Sequence, residues 1–461
     1  MYSSNSDTIA AISTPRAAGG ISVIRISGEA ALEIADKLFV PLSTAKKPSE
    51  MEGYTCAYGR IVHEGEELDD AVLTVFCAPR SYTGENVAEI SCHGGIYVTE
   101  KILRAVLECG AVPAGAGEFT QRAFLNDKMS LTQAEAVMDI ISAQGKAYHR
   151  RAVSVKEGAL FKKTEEVSSK LLTLLGEIGA WIDYPEDDIP AVEDENIIET
   201  LSEISAELSK IRASYDNTRI LREGIDTVIA GKPNVGKSTL MNLLAGYEKS
   251  IVTDIAGTTR DIVEESVRVG DVVLRLSDTA GLRDTEDIVE GAGIERARKK
   301  ISSADLIIAV FDNSTPLDDD DISLIESCKK ADGVKVIACI NKTDRENHLD
   351  KDKISDSFEN VIEISAEKGE GVDKLQSVLN NLFLTNSNIY DDITVNERQK
   401  KCLDRAISCV NEAYSAILSG ITLDAVNIVL DDALNALMEL NGKRASEEVV
   451  AEVFSHFCVG K

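Results

Sequence analysis

The chain has no basic amino-terminal segment followed by an apolar stretch, and nowhere does it run through roughly eighteen uninterrupted apolar residues. Neither secretion nor membrane spanning is expected, and a cytoplasmic location is the default. Its nine cysteines, at positions 56, 77, 92, 109, 328, 339, 402, 409 and 458, are odd in number and form no CxxC pair. That spacing fits neither a disulfide framework nor a zinc ribbon, so most should be small core residues. Cations are also short: 49 Lys and Arg against 78 Asp and Glu leave a net charge of −29. A surface of that sign does not wrap nucleic acid, so any RNA contact has to be local or shared with a partner.

With 461 residues, 44% of them hydrophobic, the chain is globular and long enough for about three domains. Residues 1–118 alternate short β-like runs (Ile21 to Ile26, Ala71 to Phe76, Val87 to Cys92) with glycine-rich turns and one helical stretch near Thr99 to Cys109, as an α+β domain would. From Leu131 long helices follow, and Ile197, Leu201, Ile204, Leu208 and Ile211 form one apolar stripe. A second stripe, Leu403, Ile407, Val410, Tyr414 and Ile417, lies near the end. Two unpaired stripes would most simply pack together, which makes residues 119–222 and 385–461 two parts of one helical domain and residues 223–384 an insertion. The insert alternates strand runs (Thr227 to Ala230, Val272 to Ser277, Leu306 to Phe311, Val336 to Ile340, Val361 to Ile364) with helical ones, and Val263 to Val269 adds an edge hairpin through Gly270-Asp271. The expected fold class is therefore multidomain α/β and α, with a Ras-like P-loop α/β domain inserted into a long helical one.

The insert carries the chemistry. Gly231-Lys232-Pro233-Asn234-Val235-Gly236-Lys237-Ser238 matches GxxxxGK[ST], follows a strand run and precedes a helical run that begins at Thr239. Glycines let backbone amides wrap phosphates, Lys237 neutralises charge and Ser238 offers an oxygen to Mg²⁺. The loop Thr253-Asp254-Ile255-Ala256-Gly257-Thr258-Thr259 and the segment Asp278-Thr279-Ala280-Gly281 occupy γ-phosphate-sensing positions. Thr259 should complete the Mg²⁺ shell, Asp278 should hold that ion through water, and the Gly281 amide should meet the γ-phosphate. Asn341-Lys342-Thr343-Asp344 and Ser365-Ala366-Glu367-Lys368 choose the base. A carboxylate at Asp344 accepts from guanine N1–H and the exocyclic amine, which adenine does not offer. Asn341 would brace the loops, and the Ala366 amide would donate to guanine O6.

Leu282 stands where many signalling GTPases place the water-orienting glutamine, so another group must serve; Asp284, Glu286, Asp287 and Glu290 are acidic candidates. Asn234 either offers its side-chain carbonyl to a monovalent cation beside the phosphates or braces loop backbone.

Three stretches, GKPNVGKSTLMNLLAG with IVTDIAGTTRD and DTAGLR, GEFTQRAFLNDKMSLTQAEAV, and the terminal FSHFCVGK, resemble the tRNA modification GTPase MnmE (TrmE) family over essentially the whole length. The resemblance implies a potassium-stimulated GTPase, with K⁺ held by Asn234 and the Thr253, Ile255 and Thr258 positions, Glu290 orienting water, and nucleotide domains meeting across a homodimer. It implies an amino-terminal domain that mediates dimerisation and binds a 5-formyl- or methylene-tetrahydrofolate through Arg25, Glu89, Lys128 and Lys461. It implies a flavoprotein partner, MnmG, and aminomethyl-type modification at C5 of the wobble uridine of certain tRNAs. Cys458 reads as a nucleophile, a substrate-positioning group or a structural thiol, and His93 as structural.

Departures from the resemblance are small. Ala116 stands before GEFT where relatives often carry proline, and the acidic run Asp318 to Asp321 reads as a solvated helix start; neither touches the expected chemistry. Asp183 to Asp188 reads as a capped turn. The competing expectations are a ribosome-assembly or signalling switch, which would need a basic RNA-binding appendage, and a folate-dependent transferase with a regulatory GTPase attached.

Overall fold

A computed structural model describes residues 7–42, 46–143, 145–183, 194–247, 265–270, 272–276, 304–331, 333–384 and 393–461. The chain forms two compact units, one of residues 1–138, 155–205 and 401–461, the other of residues 139–154 and 206–400. In sequence the second unit thus interrupts the first.

The first unit begins with a seven-stranded sheet of β1 (Ile9–Ile12), β2 (Ile21–Ser27), β3 (Phe39–Pro41), β4 (Thr55–His63), β5 (Glu66–Phe76), β6 (Val87–His93) and β7 (Val112–Pro113), in the order β3-β4-β5-β6-β2-β1-β7. Alternation along β2 sends Ile24 and Ile26 to one face and Val23 and Arg25 to the other. The helices Ala31–Leu38 and Ile96–Glu108 cover the apolar face with Ile34, Leu38, Ile102 and Val106. Each such burial stabilises by roughly 1.5–3 kcal/mol. The opposite face carries the antiparallel pair Arg25 and Glu89, directly across from one another on β2 and β6.

Long helices complete this unit. Ala159–Asp183 packs along Leu423–Asn441, where the buried Thr164 hydroxyl donates to Asn441 Oδ1 at 2.9 Å. Ser205 Oγ donates to Asn411 Oδ1 at 2.8 Å, joining the segment of the first apolar stripe to that of the second. The last helix, Glu447–Ser455, seats Val450 and Phe454 against Leu131 and Ala134.

The second unit holds a six-stranded sheet of β8 (Ile225–Ala230), β9 (Glu265–Val269), β10 (Val272–Leu276), β11 (Leu306–Asp312), β12 (Lys335–Asn341) and β13 (Val361–Glu363), ordered β13-β12-β11-β8-β10-β9. All neighbours are parallel except the β9–β10 edge hairpin, which turns at Gly270. Every residue of β11 is buried, as a strand covered on both faces requires. The carboxyl ends of β8, β11, β12 and β13 carry the loops that form the site below, where open parallel sheets bind ligands.

Candidate functional site

The chain leaves β8 at Ala230, passes through the loop 231–236 and enters the helix Lys237–Tyr247. Gly236 (φ +99°) lies so close to β12 that an added Cβ would stand 2.3 Å from Asn341 Nδ2. That clearance lets Asn341, 2% exposed, bind two loops at once: its Nδ2 donates to Val235 O (2.9 Å), and its Oδ1 accepts from Ala366 N (3.0 Å). Phosphate loop and base loop are thereby held at a fixed spacing. The Lys237 ammonium folds over the loop and donates to Gly231 O (2.6 Å) and Lys232 O (2.8 Å), and burial lowers its pKa below the usual lysine value.

Asn234 sits in the left-handed region (φ 65°), and its carbonyl accepts from Lys342 Nζ at 2.6 Å. Lys342, itself at φ 62°, also pairs with Asp312 Oδ2 at 2.6 Å. Non-glycine residues held there are a mark of functional loops. Burial would raise the Asp312 pKa, but the Lys342 ammonium and the Ser314 hydroxyl and amide outweigh it and hold that carboxyl below the ordinary range. Asp344 is aligned by Ser365 Oγ (2.6 Å), and this hydrogen bond keeps it ionised by lowering its pKa. Thr343 N is tied to Ile364 O (3.3 Å) at the end of β13.

Asn234, Gly236, Lys237, Ser238, Thr239, Asn341, Lys342, Arg345, Ala366 and Glu367 line one cavity of about 530 Å³. Its lining includes the amino terminus of the helix Lys237–Tyr247 and the Arg345 and Glu367 pair (3.8 Å). Ala366, the expected partner of guanine O6, lines the same cavity. Its amide already serves Asn341 Oδ1, so a guanine O6 would have to share that donor or draw it away.

A correction concerns Asp318 to Asp321. The run does start a helix, Asp319–Lys329, with Asp318 as N-cap. Yet Asp321 is 2% exposed, and both Asp318 and Asp321 grip Lys232 of the phosphate loop at 2.7 Å. The segment is neither solvated throughout nor remote from the nucleotide loop. This pairing, Asp312 and Arg345 escaped sequence reasoning; the 86-residue separation of Lys232 and Asp318 leaves no local signal. Thr253, Asp254, Ile255, Ala256, Gly257, Thr258, Thr259, Asp278, Thr279, Ala280, Gly281 and Glu290, with 184–188 of the expected capped turn, lie outside the described residues.

In the first unit, Arg25 Nε donates to Glu89 Oε1 at 2.7 Å, and its guanidinium lies 5.5 Å from the ring centres of both Tyr82 and Phe119. The carboxyl-terminal segment is stitched beside them. Phe119 N donates to Lys461 O (3.2 Å), Gly117 N to Cys458 O (3.4 Å) and Ser13 Oγ to Gly460 O (3.0 Å). The structure therefore brings Arg25, Glu89 and the Lys461 backbone to one place. Lys128 donates instead to Pro79 O (3.0 Å), on the loop that carries Tyr82. Cys458 is exposed and His93 pairs with Asp69.

Two family descriptions match this chain: "MnmE helical domain" over residues 131–458 and "GTP-binding protein TrmE N-terminus" over residues 8–128. The tRNA modification GTPase MnmE of Acetivibrio thermocellus is 41% identical over 467 residues, covering 99% of both chains. The chain belongs to the MnmE family of tRNA modification GTPases. The Clostridioides difficile MnmE is 40% identical over 459 residues, again with 99% of each chain covered. Among solved structures, Aquifex aeolicus Era bound to GDP.AlF4⁻ covers 40% of this chain and 66% of its own at 24% identity and a TM-score of 0.28. As a member of the MnmE family the chain is a GTPase, a hydrolase acting on GTP.

Proposed function

We propose that this GTPase modifies tRNA, using GTP hydrolysis to drive a conformational cycle that serves C5 of the wobble uridine, in a cytoplasmic homodimer working with the flavoprotein MnmG. The observation that supports the nucleotide site of this reading is the double engagement of Asn341, which ties the loop 231–236 to the loop at Ala366. Amides of Val235 to Thr239 and the Lys237 ammonium hold the phosphates, and Asp344 selects guanine.

Ser238 lines the cavity beside Lys237; with Thr259, and with Asp278 through water, it would hold Mg²⁺, which would supply charge compensation on the phosphates. Among the described residues no group of three or more His, Cys, Asp or Glu gathers as a metal cage. One hydroxyl plus phosphate oxygens suits Mg²⁺, which binds by few protein ligands. Asn234 with Thr253, Ile255 and Thr258 holds K⁺, and Glu290 orients the attacking water.

Arg25 and Glu89, flanked by Tyr82 and Phe119 and closed by the tail to Lys461, form the tetrahydrofolate site of our reading. The carboxylate suits a pterin amidine edge and the rings suit stacking, with Lys128 at the border for a glutamate tail. Cys458, exposed on the same tail, serves in this reading as a nucleophile or a substrate-positioning group.

The test is complementation. In cells lacking the protein, tRNA hydrolysates should lose the modified wobble nucleoside, the chain should restore it, and Lys237→Ala should not. A full complement of the modified nucleoside without the protein would overturn the proposal.

A further inference from the structure

Lys232 is the second residue of the phosphate loop and lines no part of the cavity, yet its side chain is only 13% exposed. Its ammonium stands 2.7 Å from Asp318 Oδ2 and 2.7 Å from Asp321 Oδ2. Asp318 and Asp321 are themselves locked by a reciprocal capping box: Asp321 N donates to Asp318 Oδ1 at 3.1 Å and Asp318 N to Asp321 Oδ2 at 3.3 Å. The other oxygen of Asp321, Oδ1, is buried without a hydrogen-bond partner. Lys232 is therefore the principal charge compensation of a nearly inaccessible carboxylate, which fixes the lysine strongly. The main-chain carbonyl of the same Lys232 accepts from the Lys237 ammonium at 2.8 Å. A rigid path thus runs from the helix cap through Lys232 to the group that meets the phosphates.

We infer that Asp318, Asp321 and Lys232 form a clamp that positions the phosphate loop, so that two carboxylates on a different element set nucleotide affinity in a cavity they do not touch. The inference rests on the guanine-nucleotide reading of that cavity. Asp321 dominates the clamp because it is buried, whereas Asp318, half-exposed, is screened by water.

The test uses the full chain and fluorescent GDP titration, with steady-state kcat and KM for GTP and a thermal melt of each variant. Lys232→Met and Asp321→Asn should each raise Kd and KM about tenfold, the size of a coupling of contacting groups, with kcat changed less than about twofold. Lys232→Arg, which keeps the charge and both carboxylate contacts, should restore affinity to within about twofold. The double variant Lys232→Met with Asp321→Asn should be no weaker than Lys232→Met alone, since one interaction is lost once. Wild-type affinity in Lys232→Met, or penalties that multiply in the double variant, would overturn the clamp. So would losses that follow melting temperature and are equal in Lys232→Arg. A wild-type chain without affinity for GDP would overturn the nucleotide reading itself, which separates the two failures.

Discussion

At position 93 the imidazole of an exposed histidine meets Asp69 at 2.7 Å through Nδ1, and the backbone amide of the same residue meets the other Asp69 oxygen at 2.8 Å. The hydrogen bond to Asp69, followed by its charge, raises the His93 pKa above the usual imidazole value. A raised folded-state pKa means that the pair's contribution to stability is complete below the unfolded value of about 6.5 and is lost as pH rises through the folded one. An NMR titration of His93 should show this raised midpoint, and Asp69→Asn should bring it down; a midpoint at or below the ordinary value in the parent chain would contradict the assignment. Legibility at this scale follows contact with ligand. Asn234, Lys237, Asn341 and Asp344 were readable because a bound nucleotide dictates their type and spacing. Asp312, Asp318 and Asp321 were not, because they pair with Lys342 and Lys232 from afar in sequence, and a carboxylate that compensates a lysine looks like any surface acid.

Elements differ in how plainly they are written. β8, β11 and β12 stand out as apolar runs because a parallel strand is covered on both faces. β5 is harder: it extends from Glu66 to Phe76, but its first five residues are largely polar and exposed, so only the buried half from Ala71 reads as a strand. β1, β3, β4 and β7 went without a sequence signal for related reasons, since three of them are four residues or shorter and β4 carries exposed Cys56, Tyr58 and Arg60 on alternate positions. The terminal segment was recognisable only as a motif. What it does emerges from its bridge to Ala116 and from Gly460, at φ +97°, where an added Cβ would stand 2.4 Å from Ile12 O. Gly460→Val should therefore lift the tail from the amino-terminal sheet and weaken 5-formyl-tetrahydrofolate binding by about tenfold or more, while GTP turnover stays unchanged. Calorimetric titration with the folate measures it, and unaltered affinity would remove the tail from the site.

For the molecule as a whole, a tRNA modification GTPase of net charge −29 has to make its phosphate contacts locally or share them with a partner. Among the described residues no helix is long and apolar enough to cross a membrane. The return of the helical pattern after residue 385 made the interruption visible in sequence. The division into units, however, groups residues 139–154, 206–222 and 385–400 with the expected insert 223–384, a grouping that depends on contacts rather than on pattern. In the proposed function one cavity selects guanine through Asp344, a carboxylate held against Ser365. The most direct measurement is displacement of fluorescent GDP from the full-length chain. GTP should compete and ATP should fail even at about thousandfold excess, because adenine leaves Asp344 unpaired. Asp344→Asn should shift the preference to xanthosine triphosphate, whose C2 carbonyl accepts from the new amide. ATP displacing GDP as well as GTP does, or a selectivity unmoved by Asp344→Asn, would contradict the account.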